Sequence, residues 1–387
     1  MKQSQWFLSI ILIMVSSLVL DACSYSVQVL STPSFAPPTV TLMSASASQT
    51  PVPSPTAFVS ATPTLISIRA DTLSMLENVQ TFEMGDTVRS VAFTPDGTVL
   101  AAAGGNTGDF AIHLWNIVDN QIVGILGGHS GIIWDVAFSP DGQMLASVSS
   151  DGQARVWDWR TGDVLKIWNF PGQVVSVGFS PDGQTLAVGG VDESKNQVQN
   201  AAVWTFAVGS WSPIFKLPEY LDVTALAYSP DSRWLVGGGT SRNVQVWHTD
   251  SGTSQFTLSH AHQVSQVDIS PDSSTVAAAT CLTVVSNECT EGGVWLWNLP
   301  TGKLMKQKLT GFPNVVESLA FAADGSALIV GSRDGTLRIY DTADYQPRFE
   351  TIAPGGISTL AVSPEGGWFA TGNTNGEVSL WKIVYHP

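Results

Sequence analysis

His129, Ser147 and Asp151 bring a histidine, a hydroxyl and a carboxylate into one short stretch of the chain, and Trp157 follows them. Within hydrogen-bond reach of one another, the first three would form the set that activates a serine for acyl transfer. Cys281 and Cys289, eight residues apart in one loop, are the only cysteines beyond Cys23 and are expected to close a disulfide in an oxidising compartment. His260 and His262 are the only close pair among six histidines. Alternate residues of a strand face one way, so these two form a conceivable metal pair. Asp192 and Glu193 are adjacent carboxylates. Neighbours in sequence do not define an acid and a base, and a solvated loop is expected there. The chain has no G-x-x-x-x-G-K-[ST], G-x-S-x-G, H-E-x-x-H or C-x-x-C motif.

The elements that position these residues form a repeat. Turns related to Ser-Pro-Asp-Gly stand at 94–97, 139–142, 180–183, 229–232, 270–273, 322–325 and 363–366, with acidic residues 45, 41, 49, 41, 52 and 41 apart. Proline presets φ in such a turn, aspartate tolerates the next position, and glycine suits the last. Apolar alternation flanks the turns, as in Val136 and Phe138 before one and Leu145 after it. A third strand in each repeat ends in an aromatic: Trp115, Trp157, Trp204, Trp247, Trp297, Tyr340 and Trp381. A unit of about four short strands cannot bury both faces alone, but radial stacking buries them.

The second repeat is the most complete: Gly128-His129 opens it, and Ser147, Asp151 and Trp157-Asp158 follow. These residues resemble the WD-repeat family of β-propellers, and the resemblance runs over about Val79–Pro387. It implies an all-β, seven-bladed propeller of four-stranded antiparallel blades. It implies that His129, Ser147, Asp151 and Trp157 are a hydrogen-bonded structural tetrad inside a blade, not catalytic groups. It also places Ser259-His260-Ala261-His262 where the family has its Gly-His loop. No catalytic residue, metal or cofactor is therefore expected. After Trp381 only six residues remain, too few to finish the third strand, turn and run back. The last blade is expected to take its outer strand from Val79–Met84, paired around Glu377–Ile383, which removes an exposed edge. Just upstream, Asp71 is expected to cap a short helical turn presenting Leu73, Leu76 and Val79 to the propeller.

Lys+Arg 17 against Asp+Glu 32 gives a net charge of −15, which repels a phosphate backbone, so no nucleic-acid partner is expected. Residues 1–22 read as a signal peptide, with Lys2 ahead of the apolar run Trp6–Leu20, which is shorter than the roughly 20 residues of a spanning helix. Leu20-Asp21-Ala22-Cys23 resembles the lipobox of bacterial lipoproteins, with Asp21 where a small or hydroxyl residue is usual. That resemblance implies lipidation at Cys23 and an extracytoplasmic, membrane-anchored position. Residues 23–64 follow as a disordered linker; Ser, Thr and Pro supply 23 of the 41 residues in Ser24–Thr64, and none is charged. Residues 65–78 are a short lead-in, and 79–387 the propeller.

The separation from the turn acid to the third-strand aromatic is 16 residues in repeats two, four, six and seven, but 19, 22 and 25 in repeats one, three and five. The extra residues fall at Asn106–Phe110, Asp192–Asn200 and Cys281–Gly292, between the second and third strands. In the family these loops share one face with those entering the first strand. Insertions gathered on one face of a repeat protein mark a binding face. The second residues of the first strands, Arg89, Trp134, Val175, Thr224, Ser265, Glu317 and Ser358, should rim it. The candidate binding residues are Arg89, Trp134, Glu317, Asn106, Asp109, Asp192, Glu193, Lys195, Asn196, Glu288 and Glu291. The expected function is a non-catalytic, monomeric platform for a protein, peptide or glycan outside a bacterial membrane. The alternatives are a hydrolase with its site in the central channel and a structural envelope scaffold. The rim carries one carboxylate, Glu317, which counts against the hydrolase.

Overall fold

The computed structural model describes residues 73–191, 201–219, 223–240, 242–260, 262–286, 288–305 and 308–385. The segment with Cys23 and the linker, Asp71, and the loop bearing Asp192, Glu193, Lys195 and Asn196 lie outside the described residues. All helical or strand elements among the described residues are strands. They form seven antiparallel sheets, the blades, each with strands a to d running outward from the axis.

Blade 1 is Val88–Phe93, Val99–Gly104, Ile112–Asn116 and Gln121–Leu126, and blade 2 is Ile133–Phe138, Met144–Ser149, Gln153–Asp158 and Asp163–Asn169. Blade 3 is Val174–Phe179, Thr185–Val191, Ala201–Ala207 and Pro213–Glu219, and blade 4 is Val223–Tyr228, Trp234–Gly239, Asn243–His248 and Ser254–Ser259. Blade 5 is Val264–Ile269, Thr275–Val285, Glu288–Asn298 and a split outer strand, Lys303–Leu304 and Leu309–Phe312. Blade 6 is Val316–Phe321, Ala327–Ser332, Thr336–Asp341 and Pro347–Ile352. Blade 7 is Thr359–Val362, Trp368–Gly372 and Glu377–Tyr385, with Leu73–Glu83 as its outer strand.

The core lies between the blades, in seven separate clusters. Ile112 and Leu114 of blade 1 pack with Val136 and Trp157 of blade 2, and so on round the ring until Phe82 and Leu380 of blade 7 meet Val91 and Trp115 of blade 1. Each inner strand is thus covered on both faces. Every residue of Val99–Gly104 is buried, whereas the outer strand Gln121–Leu126 is largely exposed. Small residues crowd where blades converge: a Cβ on Gly238 of blade 4 would sit 2.7 Å from the Val264 side chain of blade 5.

Hydrogen bonds between inner strands run beside these cores. Ser90 and Ser176 donate to Asp135, Leu226 N–H donates to Ser176, and Thr224 donates to Val264 O. Phe321 N–H donates to Asp268, Ile357 N–H to Ser332 O, and Ser358 to Val88 O. Every neighbouring pair of blades is bridged.

The turns between strands a and b hold the opposite end. Ser139 donates to Asp141 at 2.6 Å and receives Met144 N–H at 2.9 Å, and Gly142 takes a φ of 68°. In repeats four and five a serine stands in this left-handed position, with φ of 58° at Ser232 and 57° at Ser273. Their hydroxyls accept Asp182 N–H at 3.0 Å and Asp231 N–H at 3.3 Å from the preceding blade. The strained backbone is accompanied by a bridge that glycine lacks.

Leu73–Glu83 pairs antiparallel with Glu377–Tyr385, with Glu83 opposite Glu377 and Phe82 opposite Val378. The outer strand of the last blade thus comes from the N-terminal side of the propeller, as expected. It begins earlier than expected, at Leu73, and the helical turn expected over Leu73–Val79 is replaced by strand. Strand c of this blade runs to Tyr385 and offers backbone partners that far, so pairing outcompetes a local helical turn. Phe82 is 4% exposed and lies 5.1 Å, centroid to centroid, from Trp115. Phe82→Ala should therefore cost about 3–5 kcal/mol in urea unfolding. Val79→Ala on the exposed side of the same strand should stay within about 0.5 kcal/mol.

Candidate functional site

The chemically suggestive set in blade 2 is assembled but sealed. His129 contacts Asp151 through Nδ1 at 2.9 Å and Ser147 Oγ through Nε2 at 2.9 Å, while Trp157 Nε1 donates to Ser147 Oγ at 2.9 Å. The bonds are consistent in one direction: indole to hydroxyl, hydroxyl to imidazole, imidazole to carboxylate. Ser147 is 0% exposed and Trp157 1%, so no substrate carbonyl can reach the hydroxyl. The set joins the d–a loop to strands b and c of its blade. Burial pushes the Asp151 carboxyl up, but bonds from His129, Ser130 N–H and Gln153 N–H outweigh it and hold the group at about 2. Other blades keep fragments of the arrangement. In blade 7, Trp381 Nε1 donates to Thr371 at 2.9 Å. In blade 5, His260 lies 6.3 Å from Trp297 with both ring nitrogens buried, and burial, together with the neighbouring His262, lowers it to about 4.

The loops between strands b and c share an end of the ring with the loops entering strand a. In blade 1 the two are tied: Asp86 accepts Asn106 N–H at 2.7 Å, Thr107 N–H at 2.6 Å and the Thr107 hydroxyl at 2.9 Å. Burial opposes ionisation of Asp86, yet these bonds hold it far below the usual carboxylate range. Asp109 pairs with His113 at 2.9 Å, and that ring stacks on Trp115 at 5.6 Å. The blade 5 insertion is not a loop. Strands b and c each lengthen to 11 residues and stand out as a hairpin, with Val284 and Val285 exposed near the tip. Backbone pairing continues through the inserted residues, with two register shifts between Cys281 and Val284, to Val285 opposite Glu288. Cys281 and Cys289 are joined by a disulfide across the hairpin, Cα–Cα 5.8 Å. Glu288 is exposed, and Glu291 receives Thr283 Oγ1 at 3.3 Å.

At the mouth of the axial channel a cavity of about 380 Å³ is lined by the second residue of strand a from blades 1 to 6 and, in blade 7, by Ser358 just ahead of that strand. Two further depressions, about 440 and 320 Å³, adjoin it, and Glu317 lines all three. The larger reaches the hairpin and is bounded by Arg242, His262, Arg333 and the disulfide. The smaller lies between Arg89, Glu317, Arg333 and Ser358. Glu317 forms an ion pair with Arg333, and the guanidinium of Arg89 lies 5.1 Å from the Trp134 ring centre. Arg89 Nε and Trp134 Nε1 are buried without hydrogen-bond partners. Arg89, Trp134 and Glu317 thus meet at one place, while Asn106 and Asp109 belong to the blade 1 loop and Glu288 and Glu291 to the hairpin.

Two side chains of this mouth escape sequence reasoning. Arg333 directly follows strand b of blade 6, so the first loop residue was the readable signal. Asp135, one residue further along its strand than the rim set, gives the channel a carboxylate beside Glu317. It accepts Ser90 Oγ and Val136 N–H at 2.9 Å on one oxygen, and Val177 N–H at 2.9 Å and Ser176 Oγ at 3.1 Å on the other. Burial outweighs these bonds and pushes it up to about 6. A cavity of about 520 Å³ on the opposite face has Asp272, Asp324 and Asp344 in its lining. Those carboxylates serve their own turns, as Asp272 does for Ser270 and Ser274.

The depressed Asp151 has a pH consequence. A carboxyl held lower in the folded chain than its ordinary 3.8 contributes stability above that value and loses it as pH falls towards about 2. Asp151→Asn should lower the urea midpoint at neutral pH. The gap from the parent should close across that window, read by parallel unfolding curves.

The sequence matches the family described as WD domain, G-beta repeat at residues 76–116, 120–158, 164–194, 211–248, 303–341 and 348–382, more than half of the chain. The first matched unit takes the outer strand of blade 7 with strands a to c of blade 1, so the sequence repeat is staggered against the blade. The passed-over stretch 249–302 contains the extended hairpin. Transcription initiation factor TFIID subunit 5 of Caenorhabditis elegans is 27% identical over 55% of this chain and 31% of its own length. Eukaryotic translation initiation factor 3 subunit I of Aspergillus oryzae is 24% identical over 76% of this chain and 90% of its own. Periodic tryptophan protein 2 of Arabidopsis thaliana is 24% identical over 66% of this chain and 29% of its own. The chain therefore spans less than a third of the first and third of these relatives. The repeated turns, the tetrad of blade 2 and the seven-bladed ring agree with this match, and the chain belongs to the WD40 family.

Proposed function

We propose that this chain is a non-catalytic platform, held by a lipid on the outer side of a bacterial membrane, that binds a protein or peptide through the channel-mouth face. The depression around Glu317 carries this reading, because all seven blades contribute to it and the hairpin of blade 5 flanks it. Two of the relatives are named as subunits of larger factors, which supports a role in assembly. The carboxylates of the mouth argue against a hydrolase. Glu317 is paired with Arg333, and Asp135 spends both oxygens on four hydrogen bonds within the protein, so neither offers a free oxygen to a substrate. The disulfide supports an oxidising compartment, and Leu20-Asp21-Ala22-Cys23 supports the anchor.

A photo-crosslinking residue at Trp134 should trap one protein partner in the native host, and one at Asp344 on the opposite face should not. Equal yields from both faces, or yield from Asp344 alone, would refute the assignment of the face. For the anchor, Cys23→Ser should move the protein from the membrane fraction to the soluble extract. Retention of the variant in membranes would overturn lipidation as the attachment.

A further inference from the structure

Three arginines gather at the mouth in a protein whose net charge is −15. Arg89, Arg242 and Arg333 line its three depressions, with Glu317 in all three and Asp135, whose oxygens are taken up by blades 1 to 3, in the one at the axis. In the smallest depression two guanidinium groups face one carboxylate, Glu317, and Arg333 holds it. Arg89 is left with the Trp134 ring beneath it. A ring face steadies a guanidinium but accepts none of the hydrogen bonds that its terminal N–H groups can give. The planar fork of arginine is matched by a carboxylate taking two parallel hydrogen bonds.

We propose that the depression between Arg89, Ser358 and Arg333 is a subsite for a side-chain carboxylate of an acidic peptide segment. The proposal rests on the platform reading above and names its partner's chemistry. The surplus is one positive charge, which a carboxylate balances. A phosphate dianion would overbalance it and face Glu317 at close range. Three arginines are also too few for a nucleic-acid backbone against the charge of the whole chain.

The test uses the full chain in detergent and fluorescein-labelled, end-blocked peptides of alternating Glu and Gly, read by polarisation. The Gln-Gly counterpart should bind at least about tenfold more weakly, and added salt should erode the difference. Arg89→Ala should lose at least about tenfold, with Arg89→Lys intermediate because an ammonium lacks the fork. Glu317→Gln should strengthen binding severalfold, since it frees Arg333 and removes a repulsive charge. A merely structural Glu317 would instead weaken it, so this variant keeps the test decisive if Arg89→Ala fails to fold. Equal binding of the Glu and Gln peptides, no loss in Arg89→Ala, or weaker binding in Glu317→Gln would overturn the subsite. Tighter binding of a phosphoserine peptide than of the Glu peptide would overturn the carboxylate assignment. Rim crosslinks to a partner alongside indifference to peptide charge would leave the face standing and sink only this subsite.

Discussion

The antiparallel pairing of Leu73–Glu83 with Glu377–Tyr385 joins segments some three hundred residues apart and completes the outer layer of the last blade. A ring of sheets needs this because each blade buries its faces only against its neighbours. Without closure, two blades would each lose a neighbour and one strand edge would stay open to pairing with other chains. The same strand brings Phe82 into the cluster that spans blades 7 and 1, so backbone closure and side-chain closure coincide. Such a contact carries a large loop-closure entropy, which the six other interblade clusters share by holding the intervening chain in place.

Polar groups divide the work between the two ends of the ring. At one end, turn hydroxyls and carboxylates satisfy the tight a–b connections, with Ser232 and Ser273 also reaching the preceding blade. Nearer the axis, inner-strand carboxylates and hydroxyls bridge blade to blade. Asp135 is the densest case, binding blades 1, 2 and 3 through four donors. Buried charge is tolerated there because donors surround it. The tetrad of blade 2 follows the same logic: its His–Ser–Asp geometry is that of catalysis, but burial of its serine turns it into a brace.

At the other end the polar groups are not fully consumed. Arg89 and Trp134 retain unmatched N–H groups, and the glutamate nearby already has a partner. This acidic protein gathers three arginines at the mouth of its channel, where seven blades converge. Under the proposed reading, long-range repulsion and short-range attraction act together on a partner that carries its negative charge locally rather than along a polyanionic backbone.

The seven turns and the third-strand aromatics made the blade number and the strand order legible, and the strand-like Val79–Met84 ahead of the first repeat made the closing strand so. Turn chemistry and strand alternation are local. The tetrad was legible for the same reason, through residues at set spacings in one repeat. The hairpin of blade 5 was not, because inserted residues that continue a strand look like loop until cross-strand pairs are known. Nor were Asp135 and Arg333 legible as residues of the mouth. Asp135 differs from many turn aspartates only in pointing between blades, and Arg333 gains its meaning from Glu317 and Arg89 on other elements. Sequence alone determined the repeat, its count and the strand that completes it, because each rests on neighbours along the chain. The tertiary structure decided which charges are spent and which remain available, because that depends on groups from blades 1, 6 and 7 meeting at one axis.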